Sequence, residues 1–149
     1  MTQQHSLPTI LLVEDNVDDH DAAIRSFKAA HLDNPVDWCN TGQDALDYLK
    51  HQGTYAHKPT KAPPALVLLD LNMPGIDGRT VLMLVKQDPT LRKIPVVVLT
   101  TSSDERDVKQ CYDLGASTYI QKPVDFDGLI GAAGRIKDYW FGVALLPGA

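Results

Sequence analysis

Apolar and polar positions alternate in blocks along this chain. Thr9-Ile10-Leu11-Leu12-Val13 is an unbroken strand-like run, and Ala23, Ile24, Phe27 and Ala30 follow at spacings that draw one stripe along a helix, with Asn16 placed to cap it. Val36-Asp37-Trp38-Cys39 predicts a short second strand; Thr41-Gly42-Gln43-Asp44 then resembles a capping box before Ala45, Leu46 and Leu49 on a second helix. The unit is strand, loop, helix, and it recurs.

Ala65 to Leu69 predicts a third strand, Val81, Leu82 and Val85 a third helix, and Ile94 to Leu99 a fourth strand, with Pro95 tolerable near its start. Ser102-Ser103-Asp104-Glu105 reads as the next helix start, with Val108, Cys111 and Tyr112 at helical spacing and Gly115 suited to the stop. Ser117 to Gln121 predicts a short fifth strand. Asp125 can cap a last helix whose inner face is Phe126, Leu129, Ile130, Ala133, Ile136 and Trp140.

Strict alternation with nearly all-apolar strands implies an α/β fold: a parallel, doubly wound sheet with helices on both faces, because right-handed crossovers bury both sides. At 149 residues and 44% hydrophobic the chain fits one domain, with a core over about residues 8 to 140 and a tail over 141 to 149. The proline-rich stretch from His57 to Pro64 reads as a surface loop within that domain, not as a linker.

Charge and composition narrow the partners. The net charge of −5, with no cluster among the 14 Lys and Arg residues, argues against nucleic acid. Met1 to His5 is polar, and the apolar runs fall short of the roughly 18 residues that suggest a membrane span, so the expectation is a cytoplasmic protein with no membrane partner. Cys39 and Cys111, without a CxxC, read as small buried hydrophobes.

The chemistry collects where strands end. In open parallel sheets the C-terminal strand ends meet at a crevice. Here they carry Glu14 and Asp15 after the first strand, Asp70 after the third, Thr100 after the fourth and Lys122 after the fifth. Three close carboxylates repel, so either a proton is held at a raised pKa or a divalent cation neutralises them. Oxygen ligands favour Mg²⁺ or Mn²⁺ over zinc, and a phosphoryl group would complete the shell. On this reading Asp70 is a nucleophile that forms an acyl phosphate, with Glu14, Asp15 and the backbone carbonyl of Asn72 at the metal and with Lys122 and the Thr100 hydroxyl on phosphoryl oxygens.

Those residues sit in LLVEDN, LLDLNMPGIDG, VVVLTTS and LGASTYIQKPV, and through these motifs the chain resembles the receiver domains of two-component response regulators. Spacing strengthens the likeness: Thr100 lies 30 residues after Asp70 (100 − 70), Tyr119 lies 49 after it (119 − 70) and Lys122 lies 52 after it (122 − 70). The resemblance implies a flavodoxin-like (βα)5 fold with strand order 2-1-3-4-5, and a cis peptide between Lys122 and Pro123. It also implies a histidine kinase as phosphodonor, and Thr100 with Tyr119 as the switch pair. Two positions depart from the pattern: Glu14 stands where an aspartate is common, and Thr101 is larger than the usual residue there, which bears on dephosphorylation rate.

Beyond Lys122 one helix and a tail remain, so the expected output is protein contact and not a further domain. The tail carries Trp140, Phe141, Val143, Leu145 and Leu146, an apolar set that must pack on its own domain or on a partner. A helix running into such a tail resembles the regulators that accompany bacterial and cyanobacterial phytochromes. That likeness implies a homodimer through the fourth helix, fifth strand, fifth helix and tail, with a bacteriophytochrome-type kinase as partner. Trp38 is assigned packing and no chemistry.

Two rival readings remain open on the residues alone. A phosphohydrolase of the haloacid dehalogenase type also uses a strand-end aspartate, but it wants a second acid where this chain has Asn72. The other rival is an interaction module that does not depend on phosphorylation.

Overall fold

A computed structural model describes residues 7–57 and 62–147. Half of the proline-rich loop, at 58–61, lies outside those residues, as do the first six and last two. Five strands, β1 (Ile10–Val13), β2 (Val36–Cys39), β3 (Leu66–Leu69), β4 (Val96–Thr100) and β5 (Thr118–Gln121), form one parallel sheet in the order β2-β1-β3-β4-β5. Five helices alternate with them: α1 (Val17–Ala29), α2 (Gly42–Lys50), α3 (Gly78–Gln87), α4 (Glu105–Asp113) and α5 (Phe126–Asp138). This is the doubly wound arrangement that the alternation predicts.

Strand side chains divide the interior in two because successive residues point to opposite faces. Leu11, Val13, Val67, Leu69, Val96 and Val98 pack with Leu46 and Leu49 of α2, Val81, Leu82 and Val85 of α3, and Cys111 of α4. Ile10, Leu12, Leu66, Leu68 and Val97 pack on the other side with Ala23 and Phe27 of α1 and Ala133 and Ile136 of α5. Both cysteines are free and fully buried.

Local signals explain most boundaries. Asn16 caps α1 by accepting from the Asp19 N–H at 2.9 Å, Thr41 caps α2 through Asp44 N–H at 3.0 Å, and Asp125 caps α5 through Gly128 N–H at 2.7 Å. Gly115 follows α4 at φ +106°, the left-handed conformation that suits a helix stop.

Two expectations change and one sharpens. Within the helix start expected at Ser102 to Glu105 the α4 cap is Asp104, which accepts from Arg106 N–H at 2.8 Å, while the Ser102 hydroxyl is drawn to Asp107 at 2.7 Å. The strand expected from Ile94 begins at Val96, because Ile94 N–H closes a turn onto Leu91 at 3.0 Å. No cis peptide occurs among the described residues, so Lys122–Pro123 is trans, the isomer favoured by about 0.5–1 kcal/mol for X–Pro bonds.

The tail divides. A π-helical turn, Tyr139–Val143, extends α5 and closes with Ala144 N–H on Tyr139 O at 2.7 Å. Trp140 and Phe141 pack against the α1/α5 side of the core, whereas Val143 is 74% and Leu145 99% exposed.

Candidate functional site

The sheet ladder runs one residue past β1, β3 and β5, and this seats two of the acids and Lys122. Glu14 N–H donates to Cys39 O at 3.1 Å, Asp70 N–H to Val13 O at 3.1 Å and Lys122 N–H to Thr100 O at 2.6 Å. Glu14 and Asp70 therefore sit at the ends of the fully buried strands β1 and β3, 3% and 8% exposed. Gly78 lets α3 start directly against the Asp70 carbonyl, since a Cβ there would collide with it.

Carboxylate oxygens of Glu14, Asp15 and Asp70 all lie within 4.8 Å of one another. One ammonium answers them: Lys122 Nζ is 2.6 Å from Glu14 Oε2, 3.3 Å from Asp19 Oδ2 and 3.7 Å from Asp70 Oδ2. Burial pushes the Glu14 carboxyl up to about 7, against the pull of Lys122 and with help from the Asp70 charge. Burial works against the Lys122 charge, but its hydrogen bond to Glu14 and the charges of Asp70, Glu14 and Asp19 keep its pKa above the ordinary value. A buried cluster with more carboxylates than cations, all oxygen donors, is chemically suited to a hard divalent ion.

Thr100 closes the other side of the site. It is fully buried at the end of β4, and its Oγ1 is shielded from solvent with no hydrogen-bond partner among the described residues. An unpaired buried hydroxyl is costly, on the order of 1–3 kcal/mol, unless a ligand uses it. Tyr119 is half-buried on β5 and donates its hydroxyl to Ser102 O at 2.8 Å, just beyond Thr100. Ser102 in turn donates to Asp107 at 2.7 Å, and Arg79 of α3 meets the same carboxylate at 2.6 Å. The Ser102 hydroxyl and Arg79 hold the Asp107 carboxyl below its usual range.

A match to the response regulator receiver domain model over residues 10–133 accounts for this constellation. The chain belongs to that family. Among its relatives, the response regulator Rcp1 of Synechocystis is 39% identical over 140 residues, which is 94% of this chain and 93% of that protein; the structure of its Mn²⁺-bound form superposes with a TM-score of 0.84 at 38% identity, covering 95% and 99% of the two chains. The phosphorylated cyanobacterial phytochrome response regulator RcpA matches with a TM-score of 0.87 and 39% identity over 95% of this chain and 99% of that one. A probable methanogenesis regulatory protein, FilR2 of Methanothrix harundinacea, is also 39% identical, over 93% of this chain and 87% of its own length. The receiver match leaves the haloacid dehalogenase alternative without support.

Glu14, Asp15, Asp70 and Lys122 are thus brought together as the sequence predicts, with Thr100 at the neighbouring strand end. Asn72 is exposed in the loop after Asp70. The tail residues do not join them. Leu146 and Pro147 instead help line a cavity of about 460 Å³ with Pro8, Pro64 and Pro95, at the N-terminal ends of the strands, the end of the sheet away from the acids. Sequence reading missed Asp19, whose partner Lys122 lies 103 residues away in the chain. It also missed Arg79, Asp107 and Ser102, which no local pattern joins.

Proposed function

We propose that Asp70 is a phosphoacceptor that takes a phosphoryl group from the phosphohistidine of a histidine kinase, and that the chain acts as one receiver unit over residues 1–149. The observation that carries this reading is Thr100: a hydroxyl with no exposed surface and no partner among the described residues, beside a strand-end carboxylate, awaits an acceptor of its hydrogen bond. In the transfer an Asp70 oxygen bonds to phosphorus as the phosphorus–nitrogen bond to the donor imidazole breaks, and the leaving nitrogen keeps the electron pair. Lys122 moves from sharing its charge among carboxylates to pairing a phosphoryl oxygen, and Thr100 donates to another. Tyr119 is the second half of the switch, since its bond to Ser102 reports the position of the loop after Thr100.

Glu14, Asp15, Asp70 and the Asn72 carbonyl would hold Mg²⁺ or Mn²⁺. Such an ion supplies charge neutralisation, so that a phosphoryl group can approach carboxylates. The Mn²⁺-bound form of Rcp1 and the phosphorylated form of RcpA support both halves of the reading by homology.

The same relatives support a phytochrome-type kinase upstream, while the equal identity to FilR2 shows that likeness alone does not select the input. Output passes through protein contacts, with a homodimer through α4, β5, α5 and the tail; exposed Val143 and Leu145 are available for it, and Trp140, Phe141 and Leu146 anchor the tail. Neither nucleic acid nor membrane enters this reading, and among the described residues no helix is long and apolar enough to cross a bilayer. The free buried thiols fit a reducing, cytoplasmic setting.

The test is incubation with acetyl phosphate and Mg²⁺ followed by intact-mass measurement. One added phosphoryl group, lost in Asp70→Asn, is the expected result; no adduct at any Mg²⁺ concentration would sink the proposal. Size-exclusion chromatography of the full chain and of a chain ending at Trp140 checks the dimer, which the shorter chain should lose.

A further inference from the structure

We infer that Trp38 is a positioning residue for the cation site. This rests on the reading of Glu14, Asp15 and Asp70 as cation ligands. Trp38 lies on the edge strand β2 and is 37% exposed, so burial alone gives little reason for an indole there. Its Nε1–H reaches across to the Glu14 backbone and donates to that carbonyl at 2.7 Å. On its other side the ring stacks on the His20 imidazole of α1, with centroids 3.9 Å apart and planes inclined by 15°.

The bond matters because of which peptide it holds. The Glu14 carbonyl belongs to the peptide that joins Glu14 to Asp15, and each of those residues contributes one carboxylate to the cluster. The Glu14 N–H is already fixed to Cys39 O at 3.1 Å, so consecutive residues of β2 clamp Glu14 at both its backbone groups. With the N–H and the C=O both directed, the chain leaves Glu14 in one direction and Asp15 enters the cluster from a set angle.

The stack explains how an exposed indole keeps that bond. Water competes for a partly solvated N–H, and a ring free to rotate about its side-chain torsions would lose the Glu14 carbonyl part of the time. His20 lies flat against the indole and is itself anchored in the first turn of α1, where its N–H meets Asn16 O at 2.9 Å. The stack therefore ties Trp38 to the same β1–α1 loop that carries the acids.

Groups that orient a metal ligand from behind typically change metal affinity by about 10–100-fold when removed, and the lower end fits a single neutral hydrogen bond. Trp38→Phe keeps a ring for the stack and deletes the N–H. Free Mn²⁺ followed by electron paramagnetic resonance should show binding about tenfold weaker in Trp38→Phe than in the parent, with the thermal unfolding midpoint little changed. His20→Leu, which keeps the N–H but loosens the ring, should fall between them.

A spectroscopic arm needs no change at position 38. The chain has two tryptophans, so Trp140→Phe leaves Trp38 as the sole tryptophan, read by excitation where tyrosine does not absorb. Titration with Mg²⁺ should shift its emission with the half-saturation found by Mn²⁺ competition. Mn²⁺ affinity of Trp38→Phe within twofold of the parent, or emission indifferent to Mg²⁺ in a chain that binds it, overturns the inference and leaves the cation reading intact. A parent that binds neither ion overturns both.

Discussion

The centre of the sheet and its β5 edge are built differently. β1 and β3, which deliver Glu14 and Asp70, are buried at every residue, and α3 beside them buries Gly78, Val81, Leu82 and Val85. β5 is half-buried at Thr118, Tyr119 and Ile120 and exposed at Gln121, and α4 buries Cys111 alone. What α4 and β5 lack in apolar contact they replace with polar ties: Tyr119 to Ser102, the Tyr119 N–H to the Tyr112 hydroxyl at 3.1 Å, and Ser102 and Arg79 to Asp107. Apolar packing holds one geometry, whereas a hydrogen bond can be exchanged for another of similar energy. The acids thus sit on the part that resists movement, and Thr100 and Tyr119, the pair proposed as a switch, border the part that can shift at low cost.

The largest expected contrast is in packing. Leu68→Ala, in fully buried β3, should lower unfolding stability by about 2–5 kcal/mol, while Ile120→Ala in β5 should cost about 1 kcal/mol. Chemical denaturation of both variants checks this, and equal losses would remove the distinction between the two regions.

A smaller effect follows from Glu14. Its folded pKa of about 7 stands above the ordinary carboxyl value of 4.5, so the folded chain binds the extra proton between those limits. The associated stability is fully present below about pH 4.5, declines as pH rises and is lost through about pH 7. Without divalent cations, stability should rise from pH 8 toward pH 6 by at most about 1.4 kcal/mol per pH unit, and Glu14→Gln should flatten that slope. Denaturation midpoints measured in EDTA across this range give the answer.

The smallest effect concerns the polar ties. A double-mutant cycle on Arg79→Ala and Asp107→Asn should give a coupling of about 0.5–1 kcal/mol, because the pair is only partly withdrawn from water. Hydrogen exchange should speed up in α4 and β5 of these variants and stay unchanged in β1 and β3. Acceleration spread evenly over the sheet would mean that the two regions unfold as one.

Much of the fold was legible because strand and helix periods differ and the helix starts are chemically marked. Asn16, Thr41 and Asp125 each act as the cap their side chains suggest, because capping is settled within three residues. Within the start at Ser102 to Glu105 the sequence left the cap open, and Asp104 takes it because Asp107 claims the Ser102 hydroxyl. The trans peptide before Pro123 belongs to the same class: the sequence permits both isomers, and surroundings choose. In the site, Asp70, Glu14, Asp15, Thr100 and Lys122 were legible because parallel strands bring their C-terminal ends together. Asp19, at Lys122, and Trp38, at the Glu14 carbonyl, were not, since each acts on a partner far away in the chain.

The sequence by itself determined which residues are apolar in strand and helix rhythm, and therefore the parallel sheet and the row of acids, hydroxyl and amine at its C-terminal edge. Tertiary structure alone decided that Lys122 rests on Glu14 more closely than on Asp70, that the Thr100 hydroxyl is left without a partner, and that the tail turns Trp140 and Phe141 inward while Val143 and Leu145 face solvent. The physical reason is range. Periodicity and capping are settled by neighbours along the chain, whereas the pairing of a buried charge or hydroxyl depends on which groups the completed fold places within hydrogen-bond reach.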